Sequence, residues 1–279
     1  MAELAPALDR PSPPVDPVDP VDPPLAPRSI RPLSVAIVDS GVDGAHSWLQ
    51  GAKLRYYQVE KRGELFVVVD GESGDASGHG TACAGIIHQM VPEAEIVSVR
   101  ALSADGRCSR DGLIAALRHC VKERFHVVNL SLGIDVPRTS ALRPNDYKSI
   151  VDLYEVADAA YTAGVVLVAS GPNISSFRTY PGKFKSLVGV GRGSFDNLFG
   201  LRSEITEDYE IVAPGNDVLA PALGGGERRW TGTSFACPHV AAHVARIRAA
   251  RPDISIEAIK VALHELASRP PPPEPDAPA

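Results

Sequence analysis

The chain lacks any apolar run near the ~18 residues that a membrane-spanning helix requires; a representative long run extends only from Val165 to Ala169. It lacks a block of five or six Lys/Arg residues, and its net charge of −6 goes with a pI of about 5.8. The electrostatic footprint of a nucleic-acid or anionic-membrane binder is therefore missing. Cys83, Cys108, Cys120 and Cys237 are the four cysteines, and none stands in CxxC spacing. Neither a zinc site nor a disulfide framework is indicated, and they read as reduced thiols. The first residues place Glu3, Asp9 and then prolines where a secretory signal needs basic residues and an apolar core. A cytoplasmic location is the expectation. No period of 20 to 50 residues recurs, which excludes a solenoid.

What is abundant is proline, unevenly spread: of 25, ten precede Leu33 and six follow Arg269. Val-Asp-Pro occurs three times between Val15 and Pro23. Proline fixes φ and removes a backbone donor, so residues 1–32 and 269–279 read as an extended arm and tail, solvated linkers or ligands for a proline-recognising partner. Residues 33–268 are then the folding domain, and the 44% hydrophobic, 22% charged composition is ordinary for a globular chain.

Within that domain strands and helices alternate, which predicts an α/β fold with a central, mostly parallel sheet covered by helices on both faces. Leu33 to Val38 reads as a buried strand; Leu54 to Val59 and Leu65 to Val69 flank a turn at Lys61-Arg62-Gly63. Ile96 to Leu102, Val127 to Leu132, Val165 to Ala169, Leu187 to Val190 and Ile211 to Val212 read as further strands. Apolar spacing predicts helices over Asp111 to Glu123, from about Ile150 to Gly164, over Ser234 to Ala250 and over Ile256 to Ala267.

Three segments place a reactive side chain among small neighbours: Val38-Asp39-Ser40-Gly41, Gly78-His79-Gly80-Thr81, and Gly232-Thr233-Ser234-Phe235-Ala236-Cys237-Pro238-His239. Each alone has a plain structural explanation, as a strand-ending turn, a loop histidine or a helix start. Together they supply an acid, a base and a nucleophile, because a serine hydroxyl attacks well only when a positioned imidazole takes its proton. His239 and His243 stand four apart with no HExxH glutamate, so packing roles are expected for both.

From about Leu33 to Ala267 the chain resembles a subtilisin-like serine peptidase, whose triad runs in the order Asp, His, Ser. Besides the three segments, Ser131-Leu132-Gly133, Ala213-Pro214-Gly215 and Tyr180-Pro181 also match the family pattern. The resemblance implies a three-layer sandwich and a serine endopeptidase with Ser234 as nucleophile, His79 as base and acid, and Asp39 orienting the imidazole. It implies peptide-binding edges at Ser131, Leu132 and Gly133 and near Gly106, Arg107 and Cys108, with Ala169, Ser170 and Gly171 lining the pocket for the residue before the cut. Arg107 and Arg110 read as solvated. Cys83, four residues after His79, resembles a free cysteine packed beneath the catalytic histidine in one branch of the family, and Cys237 reads as a small core residue.

The family usually reads Ala-Ala-Gly-Asn where this chain has Ala169-Ser170-Gly171-Pro172-Asn173. Either the loop shifts and Asn173 still donates to the oxyanion, or Pro172 displaces it. Family members often hold calcium after the His-bearing helix, but no oxygen-rich cluster lies near Val91-Pro92-Glu93-Ala94, so no metal or cofactor is expected. The expected partner is a peptide or protein substrate, with no nucleic acid and no membrane. The leading expectation is a cytoplasmic processing protease such as one maturing a leader-bearing peptide. Transpeptidation or macrocyclisation through the same acyl-enzyme, and a non-catalytic peptide-binding pseudoprotease, are the alternatives.

Overall fold

The computed structural model describes residues 32–268; the expected proline-rich arm and tail lie outside the described residues apart from Pro32. Along the chain come β1 (Ser34–Asp39), β2 (Gly41–Val42), β3 (Lys53–Arg62), β4 (Leu65–Asp70), β5 (Gly74–Asp75), α1 (His79–Met90), β6 (Glu95–Arg100), α2 (Arg110–Lys122) and β7 (Val127–Leu130). They continue with β8 (Ile134–Pro137), α3 (Pro144–Thr162), β9 (Val166–Ser170), β10 (Phe177–Tyr180), β11 (Val188–Gly193), β12 (Arg202–Ser203) and β13 (Ile211–Pro214). A hairpin of β14 (Val218–Pro221) and β15 (Glu227–Trp230) leads into α4 (Thr233–Ala250) and α5 (Ile256–Ala267).

Nine strands form one sheet in the order β12-β13-β11-β9-β7-β1-β6-β3-β4, parallel from β13 to β3 and antiparallel at both edges. Strand alternation sorts the apolar residues: Val35 and Ile37 of β1 face a core shared with α1, α4 and α5, whereas Ala36 and Val38 face one shared with α2 and α3. This is the three-layer α/β sandwich expected from the sequence. Parallel strands buried on both faces explain why Val127 to Leu130 and Val166 to Ala169 are continuously apolar apart from Asn129. Between β6 and β7 the chain crosses to the other side of β1, opening a crevice at the carboxyl ends of these strands, where parallel α/β sheets place their sites.

Helix α3 begins at Pro144, well before the predicted Ile150, because the Asp146 carboxylate accepts from Arg143 N at 3.3 Å and from its guanidinium, holding the first turn, and Pro144 suits a first helical position. That start is polar and largely exposed, so apolar spacing gave no sign of it. The small antiparallel pair β8 and β10 was also not foreseen.

Arg248 is 2% exposed, and its guanidinium donates to the carbonyls of Pro252 at 3.0 Å, Ile254 at 2.8 Å and Gly164 at 3.2 Å. It thereby ties the turn between α4 and α5 to the end of α3. Arg248→Ala leaves three carbonyls without this donor, and urea unfolding is expected to show a loss of about 2–3 kcal/mol.

Candidate active site

Asp39 ends β1 and is fully buried. Its carboxylate accepts from Ser40 N at 2.8 Å and faces His79 Nδ1 at 2.8 and 2.9 Å. A carboxylate against Nδ1 puts the proton there and leaves Nε2 free to accept. His79 is the first residue of α1; Gly78 before it adopts φ +82°, a conformation that favours glycine. Gly80 permits close approach, since a Cβ there would stand 2.1 Å from the Gly41 carbonyl oxygen.

Ser234 is the second residue of α4, and its hydroxyl donates to the Ser131 carbonyl at 3.2 Å rather than to His79. The Ser234 carbonyl in turn accepts from Ser131 Oγ at 2.7 Å. Asn173 Oδ1 accepts from Thr233 N at 2.9 Å, and Thr233 Oγ1 donates to the Gly171 carbonyl at 2.9 Å. A backbone N–H can only donate, so this contact fixes which end of the Asn173 amide is oxygen. The amide NH₂ is thus the end left to donate, next to the N-terminus of α4 with its positive dipole end. Pro172 lies in the loop that follows β9.

A cavity of about 510 Å³ is lined by His79, Ser234, Asn173, Ser131, Leu132, Gly133, Ser170, Gly171 and Gly106, so most of the residues picked from sequence meet in one place. Two expectations need correction. Ala169 is fully buried on β9 and packs into the α2/α3 core, because strand alternation turns it away; Ser170 and Gly171 reach the cavity instead. The segment around Gly106 is not an open edge: Ser103 N donates to Arg107 O at 2.9 Å and Gly106 N to Ser103 O at 2.9 Å, closing it into a turn with Gly106 at φ +71°. Arg107 pairs with Asp105, and Arg110 with Asp111 and Asp152.

The sequence matches the subtilase family over residues 31–276. The chain belongs to that family. It is a subtilisin-like serine endopeptidase. It is 26% identical over 235 residues to an intracellular serine protease of Paenibacillus polymyxa, covering 78% of this chain and 67% of that one. Among solved structures, sphericase aligns with a TM-score of 0.67 at 23% identity over 84% of this chain and 82% of its own. The prenylagaramide maturation protease PagA aligns at 0.61 and 22% identity over 82% and 79%.

One residue that sequence reading missed organises the histidine of this subtilase. Asp75 Oδ1 accepts from Ser40 Oγ at 2.7 Å, Ser77 N at 2.9 Å and Gly78 N at 2.8 Å, while Oδ2 accepts from Thr81 N at 2.7 Å and Thr81 Oγ1 at 2.6 Å. Burial alone would raise its pKa, yet these donors hold it below the ordinary carboxylate range. Asp75 thus clamps the turn before α1 onto the end of β1. Its only trace in the sequence is an acid four residues before His79 in a polar loop.

On the other side of the imidazole, Trp230 packs edge-on with ring centroids 6.3 Å apart and Phe235 at 5.2 Å. Burial pulls the His79 pKa down, but the Asp39 charge and hydrogen bond, with Asp75 farther off, outweigh it and leave the pKa above 6.5. The cysteines are free; Cys83 is buried behind Ser131 and Ser234, and burial pushes the Cys237 thiol up to about 12. His239 and His243 are buried, with pKa values lowered to about 4 chiefly by burial, and bond to the carbonyls of Phe235 and Phe199. They stay neutral and pack, as expected. Among the described residues no helix is long and apolar enough to cross a membrane.

Proposed function

We propose that Asp39, His79 and Ser234 are the catalytic triad of this endopeptidase, that Asn173 donates to the oxyanion, and that the physiological role is cleavage of defined sites in peptide precursors. The observation that carries the assignment is the buried Asp39 carboxylate seated on His79 Nδ1 at the edge of the cavity that holds Ser234. A bound peptide presents its carbonyl between Ser234 and Asn173. The Ser234 hydroxyl leaves the Ser131 carbonyl and turns to His79, hydrogen bonds of this kind often forming only in the substrate complex. His79 Nε2 takes the hydroxyl proton as Oγ bonds to the carbonyl carbon. The resulting oxyanion is held by the Asn173 NH₂ and the Ser234 N–H at the start of α4. Imidazolium then gives its proton to the departing amine as the C–N bond breaks, and water releases the acyl group by the same steps in reverse. Fixed charges on the cavity walls, described below, support selective processing over general digestion.

A serine-directed phosphonate tests the reading: a single adduct on Ser234, seen by peptide mass mapping, is expected. No adduct would favour a non-catalytic peptide-binding role. Product masses with and without added amine separate hydrolysis from transpeptidation, and hydrolysis is expected.

Because catalysis needs neutral His79, the acid limb of the kcat/KM profile is expected to lie on the alkaline side of an ordinary histidine, the Asp39 carboxylate favouring the imidazolium. Asp39→Asn removes the charge that raises the pKa, so the residual activity should show a limb moved to lower pH. A limb that stays in place would remove Asp39 from this role.

A further inference from the structure

The cavity carries charge of both signs. Besides His79, its charged lining residues are Asp105, Asp135 and Arg228. Asp105 is already engaged, accepting from Ser103 Oγ and facing Arg107 at 3.6 Å. The Arg228 guanidinium lies 3.3 Å from the centroid of Trp230, on the His79 side. Asp135 is different. It sits on β8 opposite Thr179 of β10, and Thr179 Oγ1 donates to its Oδ1 at 2.5 Å. Thr179 is 4% exposed while Asp135 is open to solvent, so a buried hydroxyl holds an accessible carboxylate in place.

Among the described residues no Lys, Arg or His nitrogen comes within ion-pair distance of Asp135. Of the cations nearby, Arg138 pairs with Glu207 and Asp208 and Lys183 with Glu207, while Arg178 of β10, opposite Val136, donates to the Arg138 carbonyl at 3.4 Å. The Asp135 carboxylate thus has the Thr179 hydroxyl on Oδ1 and, among the described residues, no ion-pair partner. Asp135 lines the same cavity as Ser131 to Gly133, Ser170 and Gly171, and the Ser131 carbonyl holds the Ser234 hydroxyl.

We infer that Asp135, positioned by Thr179, is a specificity residue that selects a basic side chain, lysine or arginine, at the residue before the cut. The inference rests on the endopeptidase reading of this cavity. A carboxylate fixed beside the substrate discriminates a cation from a neutral side chain of equal length through Coulomb attraction, while a methylene more or less in an apolar slot discriminates weakly.

The test uses peptidyl anilides identical except for Arg, Lys, Met, Leu or Glu before the anilide. Arg or Lys is expected to exceed Met in kcat/KM by about tenfold or more, with the ratio falling as salt is added. The Arg and Lys arms separate guanidinium from ammonium recognition. Asp135→Asn, which keeps an acceptor for Thr179, should bring the ratio to within about twofold. Asp135→Lys should turn the preference toward Glu, a reversal that a purely structural role does not produce. Met or Leu preferred by the wild type, or a ratio unchanged in Asp135→Asn, would overturn the inference. The same ratio is read from the rates at which phosphonates with guanidino or alkyl side chains label Ser234, so slow turnover of short peptides does not leave it open. Absence of labelling by both reagents would overturn the triad reading itself, whereas equal labelling would overturn only the role of Asp135.

Discussion

Ser234→Ala is expected to lower kcat by at least about 10⁴ and to leave the fold in place. The loss is large because the hydroxyl is the atom that bonds to the substrate carbon; without it His79 can only activate water from a position shaped for another nucleophile. It is not total, since the oxyanion donors and the peptide-binding backbone act on the water reaction too. Stability should barely move. The Ser234 hydroxyl makes one hydrogen bond, to the Ser131 carbonyl at 3.2 Å, and the side chain is only half-buried, so its removal costs about 1 kcal/mol at most. Steady-state kinetics beside a urea melt checks both statements. Near wild-type turnover in a folded Ser234→Ala protein would eliminate the triad mechanism.

How much of this was readable beforehand depended on whether a residue's role is written in its neighbours along the chain. Helix α5 was placed at Ile256–Ala267 in advance because its apolar spacing is a local signal, and the structure adds a Ser255 cap at its start. The parallel sheet was legible for the same reason, its strands being short apolar runs between helical periods. The three segments around Asp39, His79 and Ser234 were recognised because together they supply an acid, a base and a nucleophile in the order of a known family, although each alone has a plain explanation. Asp75 was not, since an acid two and three residues ahead of the backbone donors it meets reads as an ordinary polar turn, and its link to Ser40 forms only when the end of β1 meets the start of α1. Asp135 was missed likewise: its partner Thr179 is far along the chain, and the pairing of β8 with β10 leaves no periodic trace. Ala169 was misplaced for the opposite reason. Its segment fits the family pattern, but the alternation of a strand buried on both faces decides which members point to the cavity.

Asn173→Ala is expected to reduce kcat by roughly 10²–10³ with KM little changed. Pro172 made this role the least secure from sequence, because an extra residue ahead of the asparagine could have carried its amide away from the site. The structure instead anchors the amide oxygen on Thr233 N, the first N–H of the helix that bears Ser234. The contact does two things. It satisfies a helix N-terminal donor, and it orients the NH₂ at a fixed offset from Ser234, so donor and nucleophile share one support. The charge that the NH₂ meets exists only in the transition state, which is why the effect should fall on kcat. Asn173→Asp separates the two functions: a carboxylate oxygen can still accept from Thr233 N, so the loop is retained, but the donor is replaced by a charge that repels the oxyanion. That variant should be at least as slow as Asn173→Ala while melting closer to the wild type. A loss under about fivefold in Asn173→Ala, which is about 1 kcal/mol in activation energy, would mean that the Ser234 N–H and the α4 dipole carry the oxyanion without the asparagine. The triad would stand, and the bond to Thr233 would be structural.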